Sequence, residues 1–436
     1  MTADELVSAL LTLSSTEQVC ILDSCNVGHL GSHLLIAGIE PVESTEISNP
    51  NADETLALLD EKLGRNLASI FTLSYEFGEK IQKISSGQRS PDEPDVFLTQ
   101  FDVLAVHDYD AGASFLVGNV AKFGQVSTKL RANISDLNFE ISDQTPILSS
   151  NFTRSTYIET VRSIQERIRC GDTYQTNLTQ QITAELPPDR TPSSVFARLR
   201  RDHPAPFAAF IARNDSTVIS ASPERFFKCQ SVSEGDSPTL SFERITTSPI
   251  KGTRKRGKTS EEDAALRNEL LASKKDRAEN TMIVDLLRND LGRVCEYGSV
   301  EVEKLCEIEE HPSLFHLVST VAGNLRPGTK FSDILKALFP CGSITGAPKI
   351  STMRIIDDIE PSSRGLSMGA IGYHIPRGFE LEPTLDLSVA IRTMVIRDQT
   401  ATFNVGGGIV IDSDPESEYE ETLTKAKALL AAIGAE

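Results

Sequence analysis

The sequence predicts an α+β fold with mainly antiparallel sheets. Short apolar runs of strand length recur along most of the chain, and long helical segments interrupt them. The two kinds do not alternate in the regular βαβ order that a parallel sheet requires. The 436 residues allow two or three domains, or one large one, and are ample for a sizeable core. With 39% hydrophobic and 24% charged residues, the chain reads as globular, not disordered. Acids outnumber bases and the formal net charge is −19. That argues against a nucleic-acid binder, which needs clustered Lys and Arg to neutralise phosphates. It leaves room for a local basic pocket holding a small anion.

Residues 1–130 mix strands such as Val19-Cys-Ile-Leu-Asp, Leu34-Leu-Ile-Ala and Phe101-Asp-Val-Leu-Ala-Val-His with helices such as 53–69. The start Met1-Thr-Ala-Asp-Glu-Leu lacks the basic n-region of a secretory signal, and no apolar run approaches the ~18 residues of a spanning helix. The seven cysteines are scattered without a Cys-x-x-Cys pair, so a reduced, cytoplasmic protein with no membrane partner is expected. The Asn-x-Ser/Thr sequons at Asn133, Asn151 and Asn177 are then chance matches. Residues 131–150 are polar and non-periodic and read as a linker.

Beyond it, Ile158, Val161, Ile164 and Ile168 recur at helical spacing, with Gly171 placed as a C-terminal stop. In 174–185, Gln175, Asn177, Thr179 and Gln181 share one parity and hence one face of a strand. Such a face is either exposed or lines a polar cavity, and on this segment alone exposure is favoured. Residues 261–293 read as one or two helices, 365–412 return to strands, and a last helix starts near Asp414-Pro415.

Four groups of residues can carry chemistry. On the last helix, Glu418, Glu421 and Lys425 share a face while Leu423, Leu430 and Ile433 point elsewhere. Spacing alone favours an ordinary Glu–Lys pair over a hard-cation site. Gly406, Gly407 and Gly408, read as lying between two strands, offer either a tight turn or backbone amides for a carboxylate. Lys251 lies in Ser248-Pro-Ile-Lys-Gly-Thr with Arg254, Lys255, Arg256 and Lys258 close behind. A lysine nucleophile must be the free amine, and with an ordinary pKa of about 10.4 fewer than about one in a thousand is neutral at pH 7. Desolvation or cationic neighbours would be needed, and an exposed basic loop is the simpler reading. Glu224, just past the apolar strand that starts at Thr217, is either a general acid or base or the partner of Arg225.

These pieces in this order resemble the chorismate-utilising enzymes. The matching stretches are Gly171-Asp-Thr-Tyr-Gln-Thr-Asn-Leu, Ser222-Pro-Glu-Arg-Phe, Pro249-Ile-Lys-Gly-Thr and Asp276-Arg-Ala-Glu-Asn-Thr-Met-Ile-Val-Asp-Leu-Leu-Arg-Asn-Asp-Leu. They continue with His316-Leu-Val-Ser, Gly342-Ser-Ile-Thr-Gly-Ala-Pro-Lys, and Gly406-Gly-Gly-Ile-Val-Ile-Asp-Ser-Asp-Pro running to Glu418-Tyr-Glu-Glu-Thr. The resemblance implies two large antiparallel sheets packed as a sandwich, helices outside, and an active site between the halves. It divides the chain into an N-terminal region, 1–150, like that of anthranilate synthases, and a chorismate-binding catalytic region, 151–436.

Within the family, isochorismate and salicylate synthases place a water-activating lysine where Gln175 stands here, so addition of water is disfavoured. Anthranilate synthases read Pro-Ile-Ala-Gly-Thr where this chain has Lys251, whereas aminodeoxychorismate synthases carry the lysine. The resemblance therefore implies amination of chorismate at C4, in the 4-aminobenzoate branch of folate synthesis. It implies Lys251 as nucleophile, Glu224 as proton donor, and Mg²⁺ held by Glu279 and Glu421 with Glu418 nearby. Arg392 and the amides of Gly406, Gly407 and Gly408 would hold the enolpyruvyl carboxylate. Gln175, His316, Ser343 and Lys425 would complete the pocket. No segment resembles a glutamine amidotransferase, so ammonia is expected from a separate glutaminase subunit or from solution.

Two departures stand out. The 27 positions from Glu224 to Lys251 exceed what the family pattern implies, so a hairpin insertion is expected around 230–238. Where many anthranilate synthases carry Leu-Leu-Glu-Ser for feedback by tryptophan, this chain reads Ile21-Leu-Asp-Ser, and no feedback control is expected. The competing readings are an anthranilate synthase component and an inactive chorismate-binding relative. Against the latter, Glu224, Lys251, Glu279, Glu418 and Glu421 are all present.

Overall fold

Two antiparallel sheets face each other, and helices cover their outer faces. The computed structural model describes residues 1–28, 33–84, 93–136, 142–231, 242–310, 314–382 and 384–435. The first sheet has eleven strands and the second ten. In the first, Gln175–Glu185 pairs with Thr400–Ile409 on one side and with Ile147–Ser150 and Gly346–Ala347 on the other. In the second, Leu314–Asn324 pairs with Ile250–Lys255, Phe242–Ser248 and Glu301–Glu310. Strands from both sides of position 150 enter both sheets, among them Val19–Asp23 in the first and Ala68–Leu73 in the second.

Alternation of side chains along each strand divides the core into layers. Cys20, Ile36 and Ile211 of the first sheet meet Phe97, Phe101 and Ile371 of the second, which closes the sandwich. On the outer faces, Leu10, Phe196 and Leu429 from helices cover Ile21, Phe210 and Phe403. Leu59, Leu291 and Phe331 cover Phe71, Phe227 and Leu385. Full burial of each such side chain contributes about 1.5–3 kcal/mol. The predicted amphipathic helix is Arg154–Arg169, capped by Thr153 and burying Tyr157, Ile158, Val161 and Ile164. Gly171 follows it at φ +84°, the left-handed conformation that suits glycine.

Several expectations need correction. The helix expected over 53–69 is Ala52–Leu63, and the chain then enters the strand Ala68–Leu73. The run read as one strand from Phe101 is two, Val96–Phe101 and Val103–Asp108, because at Asp102 the chain crosses from the second sheet to the first. The supposed linker includes the strand Ile147–Ser150, whose exposed residues carry no apolar alternation to betray it. Residues 261–293 form two helices, Ser260–Ala272 and Lys274–Gly292. The glycines lie inside the strand Thr400–Ile409, not between strands. On the polar face of Gln175–Glu185, Gln175, Asn177 and Thr179 are buried and Gln181 is half-buried, so the exposed reading fails for the first half of the strand. Lys251 is in the strand Ile250–Lys255, not in a loop. Arg225–Ser231 and Phe242–Ser248 pair as a hairpin, and the part of the expected insertion from 232 to 238 lies outside the described residues. No helix among the described residues is long and apolar enough to cross a membrane.

Candidate active site

Two neighbouring passages of the chain between the sheets build one wall of the site. The first links Thr217–Ser222 of the first sheet to Arg225–Ser231 of the second and carries Glu224. The second links Thr384–Val389 of the second sheet to Thr393–Arg397 of the first and carries Arg392. Val389 N–H donates to the Glu224 carbonyl and Ala221 N–H to the Arg392 carbonyl, each at 3.0 Å. Arg225 forks onto the buried Asp386 with two 3.0 Å hydrogen bonds, and no Glu224–Arg225 ion pair is found among the described residues.

Glu224 is 6% exposed. Burial pushes its carboxyl above the ordinary value, against the opposing pull of the Lys251 charge, the Ser343 hydroxyl and the Lys425 charge. A carboxyl so placed tends to hold its proton. Lys251 lies where the pairing of its strand with Leu314–Asn324 shifts register between Ile250 and Thr253. Its charge also reaches Glu279 and Glu421. Opposite Thr253 on the neighbouring strand stands His316, its Nδ1 2.9 Å from the Thr253 hydroxyl. Ser343 is buried in the short turn Gly342–Ile344, 3.3 Å from the Cys341 sulfur.

The facing wall is the polar side of Gln175–Glu185 with the glycine run. Gly406, Gly407 and Gly408 lie opposite Thr179, Leu178 and Asn177. None of the three has positive φ, so the tight-turn reading fails and close approach is the reason for glycine. A Cβ at Gly406 would lie 2.2 Å from the Leu178 carbonyl oxygen, and one at Gly408 2.2 Å from the Gln175 amide nitrogen. At Gly407 it would meet Glu418 Oε2 at 3.1 Å, Glu421 Oε1 at 3.6 Å and Lys425 Nζ at 3.7 Å. The ladder to Thr393–Arg397 ends at Thr402, so the glycine run has no strand on its second edge among the described residues. Gln175 is buried, and both polar atoms of its amide lack a hydrogen-bond partner among the described residues. A buried donor and acceptor left unmade is costly unless a ligand takes them up.

Glu418 and Glu421 stand one turn apart on the helix Pro415–Ile433, with Pro415 in its first turn and Asp414 as its cap. Burial raises the Glu418 carboxyl, with Ser413 donating to it at 2.7 Å and the Glu421 charge pushing it further up. For Glu421 burial acts upward too, but it is outweighed by Lys425, which pairs with it at 2.8 Å, and by Lys275 and Lys251, and its carboxyl ends below the ordinary value. Lys425 also donates to the Gly406 carbonyl at 2.7 Å. Glu279, on Lys274–Gly292, is raised first by burial, with the Lys251 and Lys275 charges opposing and those of Asp276 and Glu421 adding to the rise. The Glu421 charge thus reaches Glu418 on its own helix and Glu279 on the other.

Oxygen donors around a glycine cradle fit a hard cation. Mg²⁺ typically uses one or two carboxylates and takes the rest from water and substrate. A closed cage is not assembled: among the described residues no group of three or more His, Cys, Asp or Glu is gathered closely enough to hold a metal. Carboxylates in this number would hold such a cation only in an open site completed by water and substrate oxygens.

Electrostatic reach joins Glu224, Lys251, Ser343, Lys425, Glu279, Glu418 and Glu421 in one group, and Gln175 joins through Gly408. Among the described residues no side-chain hydrogen bond or ion pair links Arg392 to that group; burial lowers its pKa, and it sits at φ +48° in the adjacent passage. Sequence reasoning missed Lys275, although its i,i+4 spacing to Glu279 was readable; their separation is 3.9 Å. It also missed the buried pair Glu360–Arg364, which no motif marked.

The family described as chorismate binding enzyme matches residues 17–431. Anthranilate synthase component 1 of Aquifex aeolicus is 37% identical over 78% of this chain and 68% of its own length. Aminodeoxychorismate synthase component 1 of Bacillus subtilis is 35% identical over 83% of this chain and 76% of its own. The crystal structure of anthranilate synthase component I from Streptococcus pneumoniae superposes with a TM-score of 0.77 at 29% identity, covering 92% of this chain and 93% of that one.

Proposed function

We propose, from the premise that this chain belongs to the chorismate binding enzyme family, that it aminates chorismate at C4 to give 4-amino-4-deoxychorismate. The observation that carries this reading is the position of Lys251, whose charge reaches the buried Glu224 on one side and Glu279 and Glu421 on the other. An amine in that place has an acid beside it and an oxygen-rich site for an anionic substrate opposite.

In this reading the Lys251 amine attacks C2 of the ring. The ring double bonds shift, the C4–O bond breaks, and Glu224 delivers its proton to the departing hydroxyl, which leaves as water. Burial suits Glu224 to this, because a raised carboxyl pKa keeps the proton available. Ammonia then attacks C4, the double bonds return, and the C2–N bond to Lys251 breaks, freeing the lysine. Glu279, Glu418 and Glu421 would hold Mg²⁺, which supplies neutralisation of the ring carboxylate as charge develops. Arg392 and the amides of Gly406, Gly407 and Gly408 would hold the enolpyruvyl carboxylate, and Gln175, His316, Ser343 and Lys425 would line the pocket. Gln175, a neutral amide, cannot act as a general base, which disfavours water as the incoming nucleophile. We place the reaction in the 4-aminobenzoate branch of folate synthesis, in the cytoplasm, with ammonia from a separate glutamine amidotransferase subunit.

The similarity to anthranilate synthases supports a second reading, amination at C2 followed by loss of pyruvate. Incubation of the purified chain with chorismate, Mg²⁺ and an ammonium salt, with chromatography and mass detection of product, separates them. Aminodeoxychorismate is expected. Anthranilate would overturn the role given to Lys251 while leaving the pocket in place. Chorismate left unchanged even with an added glutaminase subunit would overturn both.

A further inference from the structure

We infer that the buried Arg364–Glu360 pair is a positioning device that sets the Ser343 hydroxyl against Glu224 and aligns the polar wall that carries Gln175. Both side chains are 1% exposed. Arg364 Nε and Nη2 fork onto the Glu360 carboxylate at 2.9 and 2.8 Å. The same guanidinium donates to the Ile344 carbonyl at 2.9 Å, the residue after Ser343, and to the Asn177 carbonyl at 2.7 Å. Glu360 Oε1 accepts from the Thr179 N–H at 2.7 Å and from its hydroxyl at 3.1 Å. Asn404, two residues before the glycine run, donates to that hydroxyl at 3.2 Å. Two segments of the site therefore converge on one ion pair, the turn with Ser343 and the strand with Gln175, and the strand with Gly406 joins them through the Thr179 hydroxyl.

The pair is itself fixed from behind. The Tyr75 ring lies 4.5 Å from the Arg364 guanidinium carbon, and Glu76 accepts from the N–H groups of Arg364 and Gly365 at 2.7 and 3.3 Å. A planar guanidinium with its donors committed in fixed directions permits little rotation, whereas an ammonium is a point charge with freely turning donors. Removing the fork while keeping the charge should therefore loosen the turn without emptying the core.

This inference rests on the reading of Glu224 as the proton donor. The groups that face Glu224 are Lys251 and Lys425, which lower its pKa, the Ser343 hydroxyl, which also lowers it, and the Cys341 thiol behind Ser343. If Arg364 holds Ser343 in place, loosening it removes the hydroxyl from Glu224 and lets the carboxyl pKa rise. The acid then stays protonated to higher pH, and the basic limb of the kcat profile moves upward.

The test compares wild type, Arg364→Lys, Ser343→Ala and the double variant by kcat against pH with chorismate, Mg²⁺ and ammonium, alongside Tm. Both single variants are expected to move the basic limb upward, with the double variant moving no further. The kcat of Arg364→Lys is expected to fall by about 10- to 100-fold through misalignment. Should Arg364→Lys not fold, Glu360→Gln, of similar volume, is read the same way. A limb moved by Ser343→Ala but not by the pair variant overturns the inference and leaves the role of Glu224 standing. A limb moved by neither overturns the role of Glu224 and this inference with it. A pH-independent loss of activity that tracks a lowered Tm makes the pair a scaffold only and also overturns it.

Discussion

A Cβ on residue 408 would lie 2.2 Å from the amide nitrogen of Gln175, so the glycine and the glutamine occupy one space between them. Gly408→Ala is expected to push the Gln175 amide out of its place. The overpacking should cost about 1–3 kcal/mol of stability, read as a lower urea midpoint. A rise in KM for chorismate should accompany it. An unchanged KM would mean that the Gln175 amide does not meet the substrate.

Lys251→Ala is expected to abolish turnover with little change in Tm, because Lys251 is half-buried and makes no direct ion pair among the described residues. Mass spectrometry of the wild-type chain quenched after incubation with chorismate and Mg²⁺ in the absence of ammonia should show a covalent adduct at Lys251 that the variant lacks. Turnover surviving in Lys251→Ala would exclude the covalent route.

Glu224→Gln is expected to remove proton donation and to alter the pH dependence of stability in a definite direction. Burial raises the Glu224 pKa in the fold, so from the ordinary carboxylate pKa up to the raised one the native state binds more protons than the unfolded chain. Stability contributed by this group is then present at low pH and lost as pH rises through the folded pKa. The glutamine variant should lose kcat yet unfold at a urea midpoint equal to or above that of wild type at neutral pH. A midpoint clearly below wild type would contradict a raised Glu224 pKa.

Glu418→Gln is expected to weaken divalent binding about 10-fold or more, as loss of a carboxylate donor from a sparse site would. Titration of Mn²⁺ followed by electron paramagnetic resonance checks this without any turnover. Equal Mn²⁺ affinity in wild type and variant would remove Glu418 from the metal site.

His374 gives a pH test independent of the site. It is 1% exposed, both ring nitrogens lack partners among the described residues, and burial pushes its pKa down to about 4. Between about 6.5 and that value the unfolded chain takes up a proton that the native state refuses, so stability falls as pH drops. His374→Phe should flatten the fall in urea midpoint between pH 7 and pH 5; a slope equal to that of wild type would rule out this source.

What the sequence made legible follows from physical locality. The helix Arg154–Arg169 was readable because Ile158, Val161 and Ile164 repeat at its own period and Thr153 and Gly171 bracket it. Glu224 and Lys251 were readable as candidates through motifs whose chemistry needs just those side chains. The strand Ile147–Ser150 was not readable, because all four of its residues are exposed and the ladder to Gln175–Glu185 is what supports it among the described residues. The pairing of Arg225 was equally hidden, since its true partner, Asp386, stands far along the chain on the neighbouring strand.

By itself the sequence determined the class of fold, the surface charge and the inventory of reactive groups, because periodicity, composition and side-chain chemistry are properties of short stretches. Tertiary structure alone decided that Gln175, Asn177 and Thr179 are buried, and that Glu224 stands where the chain passes between two sheets. It also decided that the Lys251 charge lies between a buried acid and the carboxylates of two helices. Burial and electrostatic proximity depend on which distant segments share a seam, and no local pattern encodes that.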